Sequence, residues 1–138
     1  MQDNNFHKTY VRVYYADTDY GRVVYYANYL KYFEIGRTEY LRDNGISLAD
    51  YHKQGIIFVV ASVEIEYKAS AKYNDKLTIC SKIFDYSKKT FTIYNEIYNE
   101  ENKLLVKGKT KCACVNEEGK LFSIPQEILN FFEKEKWK

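Results

Sequence analysis

An α+β fold, one long helix laid on an antiparallel sheet of about five strands, is the architecture this sequence predicts. Three observations predict it. A single long stretch of helical period lies near the N-terminus, between residues 27 and 42. One alternating segment precedes it and four follow, joined by the turn-like stretches "YNDK", "YSKK" and "NEENK". The chain of 138 residues is 46% hydrophobic and 29% charged with one Pro, enough apolar content for one sizeable core.

The first strand, "KTYVRVYYA", alternates and is rich in β-branched and aromatic residues. "DTDYG" follows as a loop. In the helix, Tyr29, Phe33, Gly36 and Tyr40 recur at i, i+4, i+7 and i+11 with Leu30 and Leu41 beside them, opposite Lys31, Thr38 and Arg42. Glu34 and Arg37 are spaced to pair, and Asn44-Gly45 marks the end. Gly36 inside the helix costs about 1 kcal/mol relative to Ala, and two readings stand: close approach of the helix to the sheet, or a glycine that is merely tolerated. "SLADYHKQG" reads as a short helix capped by Ser47. "IIFVVASVEIEYKAS" puts Val63, Ile65 and Tyr67 on one face, with Glu64, Glu66 and Lys68 on the other. "DKLTICSKIFDYS", "KTFTIYNEIYN" and "KLLVKGKTKCACVN" supply the remaining strands, and "IPQEILNFFEKEKW" a terminal helix with Pro125 near its start. The whole of 1–138 reads as one domain, without repeat or linker.

Several function classes are excluded. Net charge is +2 and the pI about 8.3, too mild for a nucleic-acid footprint. Mean hydropathy is −0.54 and no apolar run approaches the roughly 20 residues of a membrane span. "MQDNNFHKTY" lacks the pattern of a signal peptide, so the expected location is the cytoplasm. Three cysteines make no disulfide framework; Cys112 and Cys114, two apart, share a strand face and are expected to point into the core. His7 and His52 are expected on the surface or at helix ends, and no metal site is expected. Trp137 is expected to pack or fray, and the 15 tyrosines carry little weight on their own.

Asp17 and Asp19 flank Thr18 where the first strand ends, and three readings compete. As turn formers they would bond nearby backbone N–H groups. As metal ligands they lack companions, because "DTDYGRVVYY" turns apolar where a calcium loop would continue acidic. As a reactive site, one carboxylate would face the start of the helix, where backbone N–H groups near residues 25–27 are unpaired and the dipole is positive. Such N–H groups stabilise charge on a carbonyl oxygen under attack, and a facing carboxylate can serve as nucleophile or general base. Gly21 would permit a left-handed turn or approach of a ligand, and Val23 and Val24 would form a dry wall.

The run "DTDYGRVVYYANYL", followed by "KYFEIGRTEYLRDNGIS", resembles the 4-hydroxybenzoyl-CoA thioesterase family, and within it the YbgC-like acyl-CoA thioesterases. The resemblance extends over nearly the whole chain, through "YNDKLTI", "YSKKTF" and "FSIPQEI". It implies a hot-dog fold, in which a curved antiparallel sheet wraps the long helix, and a homodimer or homotetramer with active sites between subunits. It implies hydrolysis of an acyl-CoA thioester without a cofactor, coenzyme A being part of the substrate. Residue by residue, it implies that Asp19 is the catalytic carboxylate and that the Tyr26 backbone N–H polarises the carbonyl. Asp17 would be structural, and Lys88 and Lys89 would contact coenzyme A phosphates. Val24, Tyr29 and partner side chains would read the acyl group. Many YbgC-like members carry His at the position of Tyr26, so any imidazole role is lost here. Tyr20 and Arg22 also replace smaller residues. Acyl-carrier-protein thioesters remain alternative substrates. A non-catalytic acyl-CoA sensor usually carries a further regulatory domain, and a hot-dog hydratase would offer an Asp–His pair, neither of which this sequence provides.

Overall fold

The computed structural model describes residues 5–137, so what the sequence suggested for residues 1–4 lies outside the described part. β1 (His7–Arg12) leads through a 3-10 turn at Tyr15–Asp17 to two short strands, β2 (Thr18–Asp19) and β3 (Val23–Val24). Helices α1 (Asn28–Asp43) and α2 (Leu48–Lys53) follow. Then come β4 (Ile57–Tyr67), β5 (Lys76–Tyr86), β6 (Thr90–Tyr98), β7 (Leu104–Val115) and α3 (Gln126–Glu135). The large sheet has the order β1-β5-β6-β7-β4 and is antiparallel throughout, with β1 and β4 at its edges. The β2–β3 hairpin was not anticipated; two-residue strands are too short for alternation to show.

α1 lies across the sheet because its apolar stripe has no other partner of matching area. Tyr29, Tyr32 and Phe33 join Leu77, Ile79, Ile97 and Val106 in one buried cluster. Tyr40 and Leu41 join Ile83, Phe91, Ile93, Cys112 and Cys114 in a second, which α3 closes with Ile128 and Phe132. Leu30 departs from the expected stripe: it is 42% exposed, whereas Leu41 is buried. Glu34 also departs, accepting from Thr38 Oγ1 and forming no ion pair with Arg37. The Arg37 charge instead opposes the upward effect of burial on the Cys112 thiol in β7. Trp137 packs on Phe6, Phe84 and Tyr94 at ring distances of 5.4, 6.0 and 5.0 Å.

The helix ends as its sequence requires. Gly45 adopts φ +82°, its N–H donates to the Arg42 carbonyl and that of Ile46 to the Leu41 carbonyl, both at 3.0 Å, forming a Schellman motif. The Ser47 hydroxyl caps α2 by accepting from Asp50 N at 3.2 Å.

Gly36 settles how close helix and sheet come. A Cβ there would stand 2.5 Å from Ile79 Cγ2 and 2.9 Å from Ser81 Oγ. Asn95 braces the patch below, donating to Ser81 Oγ at 2.7 Å and to the Cys80 carbonyl at 3.1 Å. Gly36→Ala should therefore destabilise. The helix-propensity gain of about 1 kcal/mol is smaller than the overpacking penalty of about 1–3 kcal/mol, because a β-branched strand residue yields little. Thermal denaturation at fixed protein concentration should show a lowered Tm; a raised Tm would mean the contact is slack.

Candidate active site

The site is assembled around Asp17. Asp17 is 5% exposed, and Oδ2 accepts from Tyr14 N at 3.0 Å while Oδ1 pairs with Lys31. Its carbonyl accepts from Tyr25 N at 3.0 Å and from Asn28 Nδ2 at 2.9 Å. One residue thus ties the end of the first strand to the first turn of α1. Burial alone would raise the Asp17 pKa, but the hydrogen bonds from Lys31 and Tyr14 N outweigh it, and the net shift is downward from 3.8.

Asp19 stands on the β2–β3 hairpin, exposed, in register with Val23. The turn beyond it is closed by Arg22 N donating to the Asp19 carbonyl at 3.2 Å, with Tyr20 at φ +56° and Gly21 at φ +74°. Two left-handed central residues are the signature of a type I′ turn. Gly21 suits it twice, since a Cβ would also stand 2.5 Å from Tyr15 Cε1. Tyr20 does not suit it: a left-handed non-glycine residue costs about 1–2 kcal/mol. The hairpin is stitched to the segment before β5 by Val24 N to the Ala71 carbonyl at 2.9 Å and Tyr73 N to the Arg22 carbonyl at 3.0 Å.

The start of α1 faces this hairpin. Asn28, Tyr29 and Leu30 donate to the carbonyls of Tyr25, Tyr26 and Ala27 at 2.8, 3.4 and 3.2 Å, a tightened first turn. Ala27 at the cap position offers no side-chain acceptor. Tyr25 N is taken by Asp17, so of the three N–H groups the sequence suggested, Tyr26 and Ala27 are left without an acceptor among the described residues. The Asp19 carboxylate likewise has no hydrogen bond or ion pair there. It lies near enough to the Tyr25 phenol to help raise its pKa, after the larger effect of Tyr26.

Aromatic rings frame these groups. Tyr26 is 62% exposed and lies 4.9 Å from the Tyr25 ring and 6.3 Å from that of Tyr67, whose hydroxyl donates to the Tyr26 carbonyl at 3.3 Å. Tyr67, Asn28 and Lys31 carry no site signal in the sequence and join the site through tertiary contacts. Val24 and Tyr29 are buried in the core behind the mouth, and the Tyr29 hydroxyl accepts from Ala71 N at 3.0 Å.

Lys88 and Lys89 are exposed in the β5–β6 turn, where their carbonyls accept from Ile124 N and Cys114 N, each at 2.8 Å. One chain does not bring them to Asp19. The start of α1 meets Ala71 through Tyr29, whereas its far end meets Ile83 through Tyr40, whose hydroxyl accepts from Ile83 N at 3.3 Å. From Asn28 to Tyr40 the helix rises about 18 Å, and the lysine turn lies beyond. His7 is also remote, pairing with Asp43 at 2.8 Å and stacking on Tyr40, and His52 sits in the last turn of α2. No helix among the described residues is long and apolar enough to cross a membrane.

A long helix laid on a five-stranded antiparallel sheet is the hot-dog fold of the thioesterases. The profile of the thioesterase-like superfamily matches residues 13–132; the chain belongs to that family and is a thioester hydrolase. It is 37% identical over 131 residues to the acyl-CoA thioesterase YbgC of Haemophilus influenzae, covering 93% of this chain and 94% of that one. It is 35% identical over 125 residues to the acyl-CoA thioester hydrolase YbgC of Escherichia coli O157:H7, covering 90% and 93%. Among solved structures, a DHNA-CoA thioesterase from Staphylococcus aureus superposes with a TM-score of 0.86 at 32% identity, over 93% of this chain and 87% of that one.

The Asp17 anchor carries a sign that can be measured. Because its folded pKa lies below 3.8, its stabilisation is full at neutral pH and is lost as pH falls below that value toward the folded pKa. Asp17→Asn should cost about 2 kcal/mol at pH 7, and the gap between variant and wild type should close in acid. Urea denaturation at pH 7 and pH 3 checks this; a gap unchanged at pH 3 would remove the ionised carboxylate from the account.

Proposed function

We propose that this chain hydrolyses acyl-coenzyme A thioesters at the junction of the β2–β3 hairpin and α1. The observation that carries the reading is an unencumbered carboxylate, Asp19, beside a helix start whose Tyr26 and Ala27 N–H groups have no acceptor among the described residues. The thioester carbonyl oxygen would accept from the Tyr26 N–H, and negative charge on it during attack would be met by that donor and the helix dipole. Asp19 would attack the carbonyl carbon to give an anhydride, or take a proton from an attacking water; the coenzyme A thiolate leaves in either route. The reading invokes no metal or cofactor. The names of the relatives, two acyl-CoA thioesterases and a DHNA-CoA thioesterase, support acyl-coenzyme A as substrate.

A homodimer or homotetramer is part of the same proposal. β4 is an edge strand of 11 residues with Val59 and Val60 exposed on it, an edge that pairing with a second copy would cover. The distance between Asp19 and the Lys88–Lys89 turn adds support, since a partner subunit can supply a nucleotide contact that the same chain cannot. A cytoplasmic site of action fits three buried cysteines that form no disulfide among the described residues.

Asp19→Asn should lower kcat by about 10²-fold or more while leaving fold and binding intact; a folded variant with wild-type kcat would overturn the assignment. Tyr26→Phe should keep substantial activity, because the proposed donor is the backbone N–H. Reversal of Lys88 and Lys89 to Glu should raise KM for acyl-CoA more than it lowers kcat, with an effect that shrinks in high salt. An equal penalty on a short acyl-pantetheine, which has no nucleotide, would place the nucleotide elsewhere.

A further inference from the structure

We propose that Tyr20 is a substrate-contacting residue, its ring lying along the pantetheine arm of the bound thioester. This inference rests on the acyl-CoA reading above. Tyr20 occupies the first central position of the turn that follows Asp19, at φ +56°. The other left-handed non-glycine residues among those described are Asn74 and Asn102, of the type that tolerates this conformation. A type I′ turn favours Asn-Gly, and here the glycine is present and the asparagine is replaced by a large ring. The fold gains nothing in return. Tyr20 is 87% exposed and makes no hydrogen bond or ring contact with another described residue, whereas Tyr15, Tyr25, Tyr26, Tyr67 and Tyr73 around it each have a ring partner.

A local rule broken without a compensating contact, one residue from the proposed catalytic carboxylate, is where a functional demand is expected. The position also indicates which part of the substrate is touched. Thr18, Val24 and Ala71 lead from Asp19 toward the core, whereas Tyr20 projects on the solvent side of it. An acyl group directed inward leaves its thiol arm on that side. Aromatic rings suit such an arm, combining a broad apolar face with a hydroxyl for its amides.

Tyr20→Asn, Tyr20→Gly and Tyr20→Phe separate the roles. The Asn and Gly variants should raise Tm by about 4 °C at fixed protein concentration. They should also raise KM about tenfold for acyl-CoA and acyl-pantetheine alike, with kcat changed little. Tyr20→Phe should keep most of the affinity. A Tm that falls in the Asn and Gly variants, or an unchanged KM in both, would overturn the proposal. So would sedimentation showing that these variants dissociate the assembly, since the ring would then serve a second copy. Wild-type turnover reports separately on the thioesterase reading. Were it absent, weaker binding of free pantetheine to Tyr20→Asn would still support the contact, and equal binding would refute it.

Discussion

Asp17 joins four donors that the sequence scatters over residues 14–31. Its carboxylate holds Tyr14 N and Lys31, and its carbonyl holds Tyr25 N and Asn28 Nδ2. Everything at the site hangs on this clamp. By consuming the Tyr25 N–H it fixes where α1 begins, and so which N–H groups are left for a ligand. By closing the 3-10 turn before β2 it fixes where the hairpin leaves the first strand, and so where Asp19 stands. Two aspartates, two positions apart, divide the labour: one is buried and satisfied, the other exposed and free.

The long-range partner of the clamp is the seat of α1 on the sheet. Gly36 brings the helix backbone against Ile79 and Ser81, and Phe33 reaches over Gly108, where a Cβ would meet its Cε2 at 2.8 Å. These contacts set the height and rotation of the helix, which place its start beside the hairpin. Tyr29 and Tyr67 then connect helix, loop and β4 through Ala71 N and the Tyr26 carbonyl. The mouth is therefore supported from three elements, although its own residues are exposed.

Much of this was legible in the sequence. Strong periods, of two in the large strands and of 3.6 in α1, located the main elements, because burial of one face imposes those periods. Asn44-Gly45 located the end of α1 because only a few residue types accept the left-handed closing position. What was not legible came from tertiary geometry. The Leu30 exposure and the Glu34–Arg37 separation depend on which way α1 is rolled on the sheet. The β2–β3 hairpin and the strain at Tyr20 depend on the stitching to residues 71–73. The separation of Lys88 and Lys89 from Asp19 depends on strand direction across the whole sheet. Motif resemblance grouped these residues by role, and the chain trace shows that a single copy holds them apart.

In the proposed reaction, one carbonyl oxygen fits between the Tyr26 and Ala27 N–H groups at the start of α1 and the Asp19 hairpin. The most direct measurement is a crystal structure with an inert acyl-CoA analogue in which a methylene replaces the thioester sulfur and the carbonyl is kept. This carbonyl oxygen is expected to lie about 3 Å from Tyr26 N, with an Asp19 carboxylate oxygen facing the carbonyl carbon. A carbonyl bound away from both groups, or one polarised by a donor elsewhere in the fold while Asp19 faces solvent, would contradict it.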